Sequence, residues 1–255
     1  MHVETLGSGP RLVLVHGSVA PGWMTWNAQK PLAASFTLVV PIRSGYPPNP
    51  PLASIDFEVQ ARELRNVLEP GDHLVGHSYG GVVALLAAEG VELGSLTVLE
   101  PPAFGLAREE PAVEEFLANF AGEVPDDPRG YLEFFLPLVG SSLRLVDPLP
   151  PALEAGARAA IAERTPDQAV VPLDALAAAQ FPKLVVSGGH AKAFDAVCDV
   201  LEDRLGAYRA ILPGAGHSIP RLGPPLNALL EAFVTTRSSA REQTPRGGGT
   251  AGSPA

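Results

Sequence analysis

The sequence predicts an α/β fold, a mostly parallel, doubly wound sheet with an inserted helical cap. Three observations predict it. Short segments rich in Val and Leu alternate with longer segments of helical periodicity, as in parallel sheets covered on both faces. The short segments are continuously apolar rather than alternating, so both of their faces are expected to be buried. One long interval lacks any strand pattern and reads as helices separated by Pro-rich joints.

Taken in order, the expected strands are His2 to Leu6, Leu12 to His16, Thr37 to Pro41, His73 to Gly76, Leu96 to Glu100, Leu184 to Gly188 and Arg209 to Pro213. Helical spacing of apolar residues falls between them at Ile55 to Leu68, Tyr79 to Glu89, Phe194 to Leu205 and Pro225 to Thr235. The strand-free interval contains helix-like segments at Pro111 to Phe120, Arg129 to Leu136 and Ala152 to Glu163. This gives a core of residues 1–102 and 183–237 with a helical cap formed by 103–182. The segment 238–255 has no large apolar residue and is expected to be disordered.

Composition narrows the function classes. An apolar fraction of 46% over 255 residues supports a well-buried interior. Acidic residues number 28 against 18 basic, a net charge of -10, which disfavours nucleic acid and anionic membrane surfaces as partners. The partner expected is a small-molecule substrate. A single cysteine, Cys198, fits a reducing compartment and reads as core within its helical face. The first residues have neither the basic segment nor the apolar stretch of a signal peptide, and no apolar run reaches the roughly 20 residues of a membrane span. Cytoplasmic location is the expectation. No Cys/His grouping has metal-ligand spacing, and no complete Gly-x-Gly-x-x-Gly follows a strand, so no cofactor is expected.

The chemistry is concentrated in Leu74-Val75-Gly76-His77-Ser78-Tyr79-Gly80-Gly81, a serine between glycines with an apolar strand before it and a helix-forming stretch after it. Such a sharp strand-to-helix turn presents a hydroxyl, and glycines flank it because side chains there would collide with the turn. A phosphate-cradling loop is the competing reading, but no lysine stands where a P-loop needs one. A serine hydroxyl is a poor nucleophile near neutral pH, so an imidazole must take its proton during attack. His217, in Pro213-Gly214-Ala215-Gly216-His217-Ser218 after the last strand, is the candidate base. Upstream, Leu12-Val13-Leu14-Val15-His16-Gly17-Ser18 is a buried-strand pattern ending in His-Gly.

Strand, elbow, helix, further strands and a late Gly-x-Gly-His together resemble the α/β-hydrolase family, over most of residues 1–234 and least in the cap. Pro41-Ile42-Arg43-Ser44-Gly45-Tyr46 is similar to that family's usual loop after its fourth strand. The resemblance implies a sheet of the α/β-hydrolase type, Ser78 as nucleophile, His217 as base, and the backbone N–H groups of Ser18 and Tyr79 as oxyanion donors. It also implies an aspartate about three residues beyond a glycine after the strand that follows the cap. Here Ser187-Gly188-Gly189-His190-Ala191 offers none.

Two carboxylates compete for that role. Glu100 ends the preceding core strand, and neighbouring parallel strands about 4.8 Å apart finish at one sheet edge, so its side chain can reach His217. Asp195 is the rival, although the first turn of a helix favours an aspartate in any case. His77 and His16, adjacent to the reactive positions, read as structural. His190 is expected either to contact substrate or to lie on the surface, while Trp23 and Trp26 are expected to wall the substrate pocket. The reading is a serine hydrolase for a small or medium-sized apolar ester or lactone. Carbon-carbon or thioester hydrolysis and a slow-turnover ligand receptor fit the same constellation.

Overall fold

The computed structural model describes residues 1–214 and 216–242. Seven strands, β1 (His2–Leu6), β2 (Arg11–Val15), β3 (Thr37–Ile42), β4 (His73–His77), β5 (Ser95–Leu99), β6 (Lys183–Ser187) and β7 (Tyr208–Ile211), form one sheet in the order β1-β3-β2-β4-β5-β6-β7. Only β1 is antiparallel to its neighbour; the remaining pairs are parallel. Burial explains the sequence pattern. The central strands β5 and β6 are buried along their whole length, whereas β1 and β7 at the edges are part-exposed.

Helices cover both faces. Alternate residues of each strand point to opposite sides, so Val13 and Val15 join one core with α2 (Phe57–Arg65), α3 (Tyr79–Ala87) and α8 (Lys192–Leu205). Leu12 and Leu14 join the other, with Trp26 of α1 (Trp23–Trp26) and Leu226, Leu230 and Phe233 of α9 (Pro224–Glu242). Local signals set the helix starts. Asp56 accepts the N–H groups of Glu58 and Val59 ahead of α2, and Gly206, left-handed at φ 58°, ends α8.

Between β5 and β6 no described residue belongs to a strand. The interval holds α4 (Pro111–Phe120), α5 (Pro128–Leu138), α6 (Pro151–Ile161) and α7 (Leu173–Ala178). These helices divide into two groups. Leu132, Leu136, Leu153 and Ala157 of α5 and α6 enclose a core of their own with Val19, above the carboxyl edge of the sheet. Val113 and Phe116 of α4 and Leu176 of α7 instead pack into the main core beside α8. Helix α9 continues to Glu242, into the segment expected to be disordered from Ser238; the rest of that segment, 243–255, lies outside the described residues. No helix among the described residues is long and apolar enough to cross a membrane.

Candidate active site

The turn from β4 into α3 forces Ser78 to φ 53° and ψ -128°, a conformation that side-chain-bearing residues seldom adopt. It is held there on both sides: the Ser78 N–H donates to the Leu99 carbonyl at 2.9 Å, and its carbonyl accepts from the Gly81 N–H at 2.7 Å. The flanking glycines are required by close approach. A Cβ on Gly80 would lie 2.3 Å from the His16 oxygen, and one on Gly76 2.5 Å from the Gly80 oxygen.

Three side chains from different elements meet at this edge. The Ser78 hydroxyl is 2.8 Å from His217 Nε2, and His217 Nδ1 is 2.7 Å from Glu100 Oε2. All three residues are at most 6% exposed. The His217 backbone is fixed twice, by its N–H to the Gly140 carbonyl at 3.2 Å and by its own carbonyl, which accepts from His77 Nε2 at 2.8 Å. His77 therefore supports the loop that bears His217. Burial holds the His77 ring neutral, with its pKa pushed down to about 3.

Glu100 stands one residue past β5 at φ 44°, where its N–H donates to the Val186 carbonyl at 2.9 Å. Its Oε1 accepts from the Gly188 N–H at 2.6 Å and faces His190 Nδ1 at 3.2 Å. Burial by itself would raise the Glu100 pKa, but the hydrogen bonds from His190, His217 and Gly188 outweigh it and hold the group at about 2. It stays ionised.

His190 thus faces the acid from an exposed position: of its two expected placements the surface one is found, and the substrate contact is corrected, since the residue does not line the cavity over Ser78. Its Nε2 lies 3.1 Å from the Val139 carbonyl, so both ring nitrogens meet acceptors, and the Glu100 carboxylate raises its pKa. Asp195 is engaged elsewhere, accepting from Ser187 Oγ at 2.5 Å and Arg209 Nη2 at 3.2 Å. Asp195→Asn is expected to leave hydrolytic turnover within about twofold of the parent, read from kcat; a loss of several hundredfold or more would favour Asp195 over Glu100 as the acid.

A cavity of about 60 Å³ opens over Ser78 and His217, lined chiefly by Val19, Met24, Phe135, Leu136, Val139 and Leu143. Neither tryptophan lines it, a second correction. Trp23 packs against the α9-side core with the Lys30 ammonium 5.2 Å from its ring centroid, and Trp26 is fully buried edge-on to His77. Met24 and Thr25 take the expected place. Cys198 is buried in α8, where desolvation raises its thiol pKa. No group of side chains among the described residues is arranged to hold a metal ion.

The sequence pattern left one cluster unread. Arg43, just past β3 and fully buried, donates from Nη2 to Glu163 Oε1 at 2.6 Å, and Glu163 follows α6. Glu163 Oε1 also accepts from Tyr46 Oη at 2.7 Å, while its Oε2 accepts from Ser18 Oγ at 2.5 Å. An arginine at the end of an otherwise apolar strand was the one available signal.

The chain is similar to known proteins. The chain is 33% identical over 140 residues to a pimeloyl-[acyl-carrier protein] methyl ester esterase of Aeromonas salmonicida (strain A449), covering 52% of this chain and 55% of that protein. A soluble epoxide hydrolase of Corynebacterium sp. (strain C12) is 33% identical over 94 residues, covering 34% and 32%. The chain spans about half the length of the esterase relatives it matches. Among solved structures, Est816, described as an N-acyl homoserine lactone degrading enzyme, superposes with a TM-score of 0.68 at 22% identity over 91% of this chain and 96% of that one. A putative aryl esterase from Burkholderia cenocepacia gives 0.67 at 19% identity over 93% and 94%. At that identity the structures speak for the fold. The model described as the alpha/beta hydrolase family matches residues 12–227, a span that takes in the serine elbow, the Glu100 strand end and His217, and on that match this chain belongs to the alpha/beta hydrolase family.

Proposed function

We propose that the protein is a serine hydrolase that cleaves a short, mainly apolar ester or lactone through an acyl-enzyme. One observation supports this above the others: the buried, continuous hydrogen-bonded line from Ser78 Oγ through His217 to Glu100, at 2.8 and 2.7 Å. With Glu100 ionised, the His217 proton belongs on Nδ1, which leaves Nε2 free to accept from the serine. As Oγ bonds to the substrate carbonyl carbon, its proton passes to Nε2. When the C–O bond to the leaving group breaks, that proton goes to the departing oxygen. Water then repeats the sequence against the acyl group, delivering its proton to His217 and freeing Ser78.

Negative charge on the carbonyl oxygen needs donors already in place. The backbone N–H groups of Ser18 and Tyr79 are the candidates, and neither donates to another group among the described residues. The cavity supports the choice of substrate. Its volume of about 60 Å³ accommodates roughly four or five water-sized groups, and its walls are mostly aliphatic and aromatic.

A panel of p-nitrophenyl esters and simple lactones tests the assignment. Acetyl to butyryl esters are expected to give the highest kcat/KM, falling at least tenfold by octanoyl, because each further methylene must displace the α5 wall. Mass spectrometry of acid-quenched reactions should show the acyl mass on the peptide containing Ser78. Turnover without that adduct would exclude the acyl-enzyme route, and a preference for long chains would exclude the short-acyl pocket.

A further inference from the structure

We propose that the cap reaches the chemical step itself: Glu163, through Arg43, positions the Ser18 N–H as an oxyanion donor. The proposal rests on the serine-hydrolase reading above and adds positioning residues to it.

The argument begins with one peptide unit. The Gly17 carbonyl accepts from Arg43 Nη2 at 2.8 Å and from His16 Nδ1 at 2.7 Å. In a trans peptide the C=O and the following N–H point in opposite directions, so anchoring the Gly17 oxygen on these donors turns the Ser18 N–H away from them. The side left to it is the Ser78 side: a Cβ on Gly17 would lie 2.8 Å from Ser78 Cβ, and Ser18 lines the cavity. The preceding carbonyl is held by the same guanidinium, with Arg43 Nε 3.0 Å from the His16 oxygen. Two successive carbonyls therefore take their direction from one planar fork, a geometry that a lysine ammonium does not offer.

A fully buried guanidinium requires a counter-charge, and Glu163 at 2.6 Å supplies it. That glutamate is fixed to the core. The Ile55 N–H donates to the Ala162 carbonyl at 2.8 Å and the Arg164 N–H to the Ile55 carbonyl at 2.8 Å, which locks the residues on either side of Glu163. Its second oxygen accepts from the Ser18 hydroxyl, so the cap holds the donor residue by its side chain as well.

A second contact acts on the same loop. Helix α6 approaches so closely that a Cβ on Gly156 would lie 1.9 Å from the Val19 oxygen. Val19 is itself at φ 72°, a conformation unfavourable for a β-branched residue and maintained only by its surroundings. The cap thus bears on residues 17–19 from two directions, through charge at Glu163 and through backbone contact at Gly156.

The test compares Glu163→Gln, Arg43→Lys and the double variant Arg43→Met/Glu163→Leu with the parent. The double variant replaces the buried pair by apolar residues and is expected to fold, which thermal unfolding checks. Each variant should still be labelled to completion at Ser78 by a fluorophosphonate, with KM within about threefold of the parent. The kcat is expected to fall at least tenfold in each, since one oxyanion donor contributes roughly 10²–10³ in rate. Affinity for an alkyl boronic acid, whose tetrahedral adduct places an oxygen in the oxyanion position, should fall in the same proportion as kcat/KM. Recovery of parental kcat in the double variant, or a loss confined to KM with boronate affinity unchanged, would overturn the link. A parent protein that takes no label at Ser78 would instead remove the serine reading beneath it.

Discussion

Ser78→Ala is expected to lower ester turnover by roughly 10⁴-fold or more and to abolish fluorophosphonate labelling, with the protein still folded. The loss is large because in the proposed mechanism the hydroxyl is the atom that forms the covalent bond. His217 and Glu100 would then have no proton to move from it, and only the oxyanion donors and substrate positioning would continue to act. The fold should survive because the elbow is held by backbone contacts, Ser78 N–H to the Leu99 carbonyl and Gly81 N–H to the Ser78 carbonyl, which alanine preserves. The variant loses one side-chain hydrogen bond, the 2.8 Å contact to His217, worth about 1 kcal/mol. Equal labelling of parent and variant would show that another residue is the nucleophile, and unchanged turnover would exclude Ser78 from the reaction.

The serine and the histidine were legible in the sequence because glycines record the backbone around them. Gly76 and Gly80 are needed where chains approach within van der Waals distance, so the elbow is written in the residues themselves. Glu100 was legible by position, at the end of a strand predicted to lie beside the serine's, and the pairing of β4 with β5 from His73–Ser95 to His77–Leu99 brings it there. What the sequence concealed was orientation and long-range pairing. In a helix as short as α1, successive side chains differ by about 100°, and no periodicity sets the phase, so the sequence does not show that Met24 and Thr25, rather than Trp23, form the wall. The contact of His190 with the acid is not legible locally, because its two acceptors, Glu100 and the Val139 carbonyl, come from distant parts of the chain. Arg43 and Glu163 are separated by 120 positions, and nothing local in either segment marks them as a pair.

Glu100→Gln should reduce kcat by about 10³–10⁴-fold, because in the proposed mechanism the carboxylate both orients His217 and selects its tautomer. Three donors converge on its two oxygens: His217 on Oε2, and Gly188 N–H and His190 on Oε1. An amide offers one oxygen and one NH₂, so whichever way it turns, its NH₂ meets a donor or takes the place facing His217 Nδ1. In the second case Nδ1 must accept, the ring proton moves to Nε2, and the base facing Ser78 is lost. The same substitution should alter acid stability in a defined window. The folded Glu100 pKa of about 2 lies below its ordinary value of 4.5, so its ionisation contributes stability that is fully present above 4.5 and is lost as pH falls towards 2. Urea unfolding of the parent between these limits should therefore show a decline that the Glu100→Gln protein lacks at this site. Undiminished turnover in the variant would exclude Glu100 as the acid; a flattened acid limb with intact turnover would leave it a structural carboxylate. Loss of both together is the result that the two imidazoles on this one buried group require.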